Sequence, residues 1–199
     1  MRKCLFLRCQ RDHAPAAFRS PSCGGRVDSV GQYELGRTDL DAYDAILVSM
    51  LADQHSLIDQ TPRLEAFLDR GGTLVLNGHM AYPPVAGLRP FVPQTGRGTE
   101  ALTIHRLADH PVFDGVDGAD LTYRRGVAGF YGRGHNPAPD GAIALNGIGP
   151  DRDPLDWVWQ RPAGGTVFMH GGLDVWAYAA DPTSAARMAP QLVDWLTAA

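Results

Sequence analysis

The sequence predicts an α/β sandwich, a mostly parallel central sheet with helices on both faces, built as a single domain over residues 1–199. Three observations carry this. Apolar runs of strand length alternate with helix-like or turn-rich segments. Two of the runs, Gly71-Gly72-Thr73-Leu74-Val75-Leu76-Asn77-Gly78-His79 and Gly164-Gly165-Thr166-Val167-Phe168-Met169-His170, are nearly unbroken by polar residues, as strands covered on both faces are. A chain of 199 residues also suits one core that buries roughly two-thirds of the unfolded surface.

Taken in order, residues 3–8 form the first expected strand, followed by a long loop from Cys9 to Arg26 that holds Pro15, Pro21, Gly24 and Gly25 and exceeds what a connection needs. Residues 27–35 suit a second strand and residues 43–50 a third, buried on both faces. The loop over residues 51–56 then lies at the ligand edge. Residues 61–71 carry helix signals: a Thr61 cap, Pro62 in the first turn, Leu64, Phe67 and Leu68 on one face, and Gly71 at the end. Residues 155–160 read as a strand whose Trp157 and Trp159 share a face, a core arrangement more than an assembly surface. Asp181-Pro182 opens a last helix, with Met188, Leu192, Val193, Trp195 and Leu196 at helical spacing.

Composition narrows the function classes. The apolar fraction is 44%, charged residues make up 20%, and the formal charge is −4. Arginines are scattered and outnumbered by acids, so neither a nucleic-acid footprint nor a membrane partner is expected. No apolar window spans a bilayer and the N-terminal run is too short for a signal peptide, which makes the cytoplasm the expected compartment. Cys4, Cys9 and Cys23 form neither a disulfide framework nor a zinc spacing.

The ordered set Tyr43-Asp44-Ala45-Ile46-Leu47-Val48, Gly71-Gly72, Leu74-Val75-Leu76-Asn77-Gly78-His79, His110-Pro111-Val112-Phe113-Asp114-Gly115-Val116 and Gly164 to His170 resembles the class I glutamine-amidotransferase-like superfamily, closest to its trehalose-utilisation (ThuA-like) branch. The resemblance covers about residue 41 to the C-terminus and implies a flavodoxin-like three-layer sandwich. Amidotransferases of that superfamily carry a nucleophilic cysteine after the strand matching residues 73–78, and a histidine soon followed by glutamate. Here His79 stands near the nucleophile's place, His170 matches the histidine, and Gly171-Gly172 occupy the positions of proline and glutamate. Without thiolate or orienting acid, glutaminase chemistry is not expected.

In an open parallel sheet, ligands sit beyond the carboxyl ends of the strands. That rule places His79 and His170 along one crevice, with Asp174 as the group fixing one ring's tautomer in an acid/base couple. His55, His79 and His170 are also the candidate ligands for a divalent metal such as zinc, no other cofactor being indicated; hydrogen-bonded or capping histidines are the alternative. Asp53, His55, Asn77, Trp176, Arg124 and Arg125 complete the candidate ligand-binding set. Trp176 offers an aromatic face suited to a sugar ring, or else packs against the terminal helix. Arg124 and Arg125 suit an anionic group, or else belong to a solvated hairpin. The expected function is binding, with hydrolysis or another conversion, of a polar, carbohydrate-like small molecule at the His79/His170 crevice. The alternatives are a non-catalytic ligand-binding domain and a protein-interaction domain, and a homo-oligomer stays open.

Overall fold

The computed structural model describes residues 2–9 and 13–198. Eight strands form one sheet: β1 (Cys4–Arg8), β2 (Val27–Gly31), β3 (Ala45–Val48), β4 (Thr73–Asn77), β5 (Ile104–Arg106), β6 (Ile143–Ile148), β7 (Asp153–Gln160) and β8 (Thr166–His170). Their order is β2-β1-β3-β4-β8-β7-β6-β5. The first five in that order run parallel, and β7, β6 and β5 extend the sheet by antiparallel pairing. From β1 the chain first adds β2 on one side and then β3 on the other, so the connection reverses direction between β1 and β3.

The unalternating strands have a simple cause. Leu5, Leu7, Ile46, Val48, Leu74 and Leu76 meet one layer of side chains, while Cys4, Phe6, Ala45, Leu47 and Val75 meet the other. The first layer is supplied by α2 (Thr61–Asp69) through Leu64, Phe67 and Leu68. The second comes from α4 (Met188–Thr197), which follows the short α3 (Gly118–Thr122) in the chain, through Met188, Ala189, Leu192, Val193 and Leu196. The result is the expected three-layer, flavodoxin-like sandwich. Trp157 and Trp159, 1% and 8% exposed, both belong to the α2 side of the core.

Several boundaries differ from the sequence expectation, each for a local reason. β2 stops at Gly31 because the Glu34 carboxylate accepts from the Gly31 N–H at 3.0 Å, which starts a 3-10 turn over Gln32–Arg37. Thr61 does not cap α2; Gln60 precedes the helix, and the Thr61 hydroxyl donates to the Pro84 carbonyl at 2.8 Å. The 51–56 loop contains the start of α1 (Gln54–Ile58), capped by Asp53. α4 begins at Met188, after a 3-10 turn at Ser184–Arg187, and not at Asp181. In the Cys9 to Arg26 loop, Ala16–Arg19 and Pro21–Cys23 form 3-10 turns that bury Phe18 and Cys23, and residues 10–12 lie outside the described residues. The Arg/Gly-rich stretch forms a tight hairpin, Tyr123–Arg124 against Val127–Ala128, turning through Arg125 (φ 52°) and Gly126 (φ 78°). Among the described residues no helix is long and apolar enough to cross a membrane.

Candidate functional site

Strand register brings together a row of polar side chains that no local pattern joins. Arg106 on β5 pairs with Asn146 on β6, Asn146 with Asp156 on β7, Asp156 with His170 on β8, and His170 with Asn77 on β4. Asn146, Asp156, His170 and Asn77 are all buried. Burial of this kind is tolerated where each polar group has partners. Asp156 provides many: it accepts from the Tyr131 hydroxyl at 2.7 Å and from Asn146 Nδ2 at 2.5 Å, and faces His170 Nδ1 at 2.5 Å. Burial and the adjacent carboxylate push the Tyr131 hydroxyl well above its ordinary pKa, so it stays a donor.

His170 is therefore held on both sides. Its Nδ1 faces Asp156 and its Nε2 lies 2.8 Å from the Leu173 carbonyl, so both bonds form when each ring nitrogen carries a proton. The residue is 0% exposed. This corrects the open His79/His170 crevice: the two residues sit at adjacent strand ends, joined by a Gly78 N–H to His170 carbonyl bond of 2.8 Å, but the imidazole of His170 is sealed. The group that orients it is Asp156, not Asp174. His79 is exposed and stacks on Phe91 with ring centroids 3.9 Å apart; partial burial and the nearby His170 and Arg133 lower its pKa.

Gly172, two residues after His170, leaves no room for a side chain. A Cβ there would overlap the Tyr131 carbonyl oxygen and lie 3.1 Å from His170 Nε2, so any side chain at 172 displaces the wall of the buried network. The bond to Leu173 fixes the turn after β8, and that turn carries Asp174 across to β3. Asp174 accepts from the Ser49 hydroxyl at 2.7 Å and from the Met50 N–H at 2.6 Å. Asn77 reinforces the crossing by donating to the Val48 carbonyl and accepting from the Val175 N–H. It is a buried staple, not a ligand contact.

Beyond the carboxyl ends of β1 and β3, where the connection reverses, lies a cleft of about 460 Å³. It is lined by the buried Ser49, Asp174 and Trp176, the half-buried Arg8 and the exposed His13 and Arg19. Trp176, 4% exposed, packs against Phe6 and Phe18 at centroid distances of 5.6 and 5.0 Å, and its indole bonds Asp174. So deeply buried a ring leaves little of either face for a sugar to stack on. Burial raises the Asp174 pKa, against the lowering effect of the Met50 N–H and the Ser49 hydroxyl.

The other predicted residues lie elsewhere. Asp53 caps α1 by accepting from the His55 and Ser56 N–H groups and also accepts from the Tyr33 hydroxyl. The exposed His55 ring packs on Tyr82 at 4.5 Å. Among the described residues, no three His, Cys, Asp or Glu side chains converge in a metal-holding group, so His55, His79 and His170 do not form a shared ligand set. Arg124 and Arg125 both bind Asp181, at 2.5 and 3.0 Å, and Arg124 also donates to the Ala177 carbonyl. They clamp the hairpin to the turn before α4. Sequence reasoning missed Asp156, Asn146 and Tyr131; the available signal was a carboxylate inside the apolar run Leu155 to Trp159. It also missed Arg8, Arg19 and Ser49 at the cleft.

No protein-family model and no curated protein matches the chain. Two solved structures share its fold over nearly the whole length. "Cytoplasmic Protein STM3548 from Salmonella typhimurium" aligns with a TM-score of 0.61 and 15% identity, over 97% of this chain and 98% of its own. "Cytoplasmic Protein STM1381 from Salmonella typhimurium LT2" aligns at 0.54 and 14% identity, over 98% and 95% respectively.

Proposed function

We propose that the chain is a cytoplasmic ligand-binding domain related to the glutamine-amidotransferase-like superfamily, near its trehalose-utilisation branch. It takes a polar small molecule in the cleft above β1 and β3 and carries out no glutaminase reaction. One observation supports this most: a cavity of ligand size lies where the sheet reverses direction, with hydroxyl, carboxyl and guanidinium groups around it. The bonding of His170 supports binding over acid/base catalysis, because both ring nitrogens are already engaged. The superfamily relation rests on the ordered motifs and agrees with a three-layer sheet.

The test is a ligand-observed NMR screen of polar small molecules against the intact protein and two variants that fill the cleft, Ala16→Trp and Ala180→Trp. Both positions line the cleft and are exposed, so bulk is added without disturbing the core. A ligand of the cleft loses saturable binding in both variants while their thermal unfolding stays like that of the parent. Binding that persists unchanged in both places the ligand elsewhere and rejects the proposal.

A further inference from the structure

Three buried polar atoms around the Asp156 network have no hydrogen-bond partner among the described residues: Arg106 Nη1, Asn146 Oδ1 and the Tyr178 hydroxyl. Interiors seldom leave such groups unpaired, so each calls for a partner. Arg106 and Asn146 face each other in register on β5 and β6. Tyr178 is fully buried and packs edge-on against Tyr131 at 5.8 Å, and the Tyr131 hydroxyl lies 3.5 Å from Asn146 Nδ2. All three side chains are held in place. Arg106 Nη2 donates to the Val116 carbonyl at 3.1 Å, and the guanidinium lies 4.7 Å over the Phe113 ring. Asn146 must turn its Nδ2 to the Asp156 carboxylate, since its oxygen would meet that charge with a lone pair, and this fixes Oδ1 on the other side of the amide. Burial raises the Tyr178 pKa, so its hydroxyl keeps its proton.

The chemistry of the three atoms selects the ligand. An anion would meet the lone pairs of Asn146 Oδ1, and a metal cation would meet an Arg106 N–H that cannot coordinate it. Water both accepts and donates, and buried waters typically make about three such bonds. We infer an internal water site between β5 and β6, separate from the cleft above β1 and β3, in which an ordered water accepts from Arg106 Nη1, donates to Asn146 Oδ1 and bonds the Tyr178 hydroxyl. The water joins the Arg106 guanidinium to the Asp156 carboxylate through the Asn146 amide. Each bond in such a chain polarises the next, which helps hold a buried carboxylate already shared by Tyr131 and His170. Arg106 also lines an open groove of about 920 Å³ beside His110 and Trp195, which brings solvent close to the site.

A high-resolution crystal structure of the intact protein tests the placement: a water is expected within about 3.2 Å of both Arg106 Nη1 and Asn146 Oδ1. Direct bonds from those two atoms to protein groups, or no water between them, overturn the inference. In solution, oxygen-17 relaxation dispersion counts long-lived internal waters. Arg106→Met should hold at least one fewer than the parent, and Arg37→Gln, on an exposed side chain, the same number. An unchanged count in a folded Arg106→Met protein also overturns it. Tyr178→Phe keeps the ring and removes only the hydroxyl, so it supplies a reading even where Arg106→Met does not fold. A water-bonded hydroxyl makes Tyr178→Phe unfold at a lower urea midpoint than the parent, whereas a hydroxyl with no partner makes the midpoint equal or higher and removes Tyr178 from the site.

Discussion

His110 permits a prediction whose size follows from the structure. Its Nδ1 accepts the Val112 N–H at 3.3 Å and so caps the 3-10 turn Pro111–Phe113. The ring lies against Trp195, Phe168 and Phe113, with centroids at 4.7, 5.9 and 6.4 Å. Burial, with help from the Arg106 charge and against the pull of Asp156, lowers its pKa from 6.5 to about 4. Protonation would also take away the lone pair that makes the cap. The unfolded chain therefore takes up a proton near pH 6.5 while the folded chain resists until about pH 4. The stabilisation is complete above pH 6.5 and is lost as the pH falls toward 4. At about 1.4 kcal/mol per pKa unit, and allowing for partial exposure of the ring, the loss is about 2 to 3 kcal/mol. Asparagine can still cap through its side-chain oxygen but cannot titrate. Urea unfolding of the parent and His110→Asn between pH 4 and 7.5 separates the two effects. His110→Asn should be less stable at pH 7, for lost ring packing, yet decline less steeply on acidification. Parallel curves would refute the argument.

Three other outcomes follow from the site. Asp156→Leu leaves the buried Tyr131 hydroxyl and His170 Nδ1 without an acceptor; at ~1–3 kcal/mol for each stranded group, chemical denaturation should report a loss of about 4 kcal/mol. Gly172→Ala forces a methyl group against the Tyr131 carbonyl and should cost about 1–3 kcal/mol by the same assay. It should also disturb the turn carrying Asp174, seen as shifted amide resonances at Met50, whose N–H that carboxylate holds. Because burial raises the Asp174 pKa, its stabilising effect is complete below about pH 3.8 and is lost as the pH rises through the elevated folded value. Asp174→Asn should lack that decline across the same interval, and identical pH dependence in the two proteins would contradict the assignment.

The principal strands and the layering were legible in the order of residues alone. Strands β1, β3, β4 and β8 were legible because burial on both faces demands unbroken apolar runs, and α2 because Pro62, its apolar stripe and Gly71 are local signals. His170 was legible as the end of a buried strand. Whether its ring opens to solvent was not, since that depends on Asp156 in the neighbouring strand and Leu173 in the next turn. The same holds for the row from Arg106 to Asn77: its members lie far apart in the chain and meet only through strand register, which no window of sequence contains. The cleft, too, required the tertiary structure, because the order of β1, β3 and β4 decides which loops face one another. Local propensity writes periodicity into the chain, whereas a site is a set of distances between segments, fixed only when the sheet closes and the layers pack.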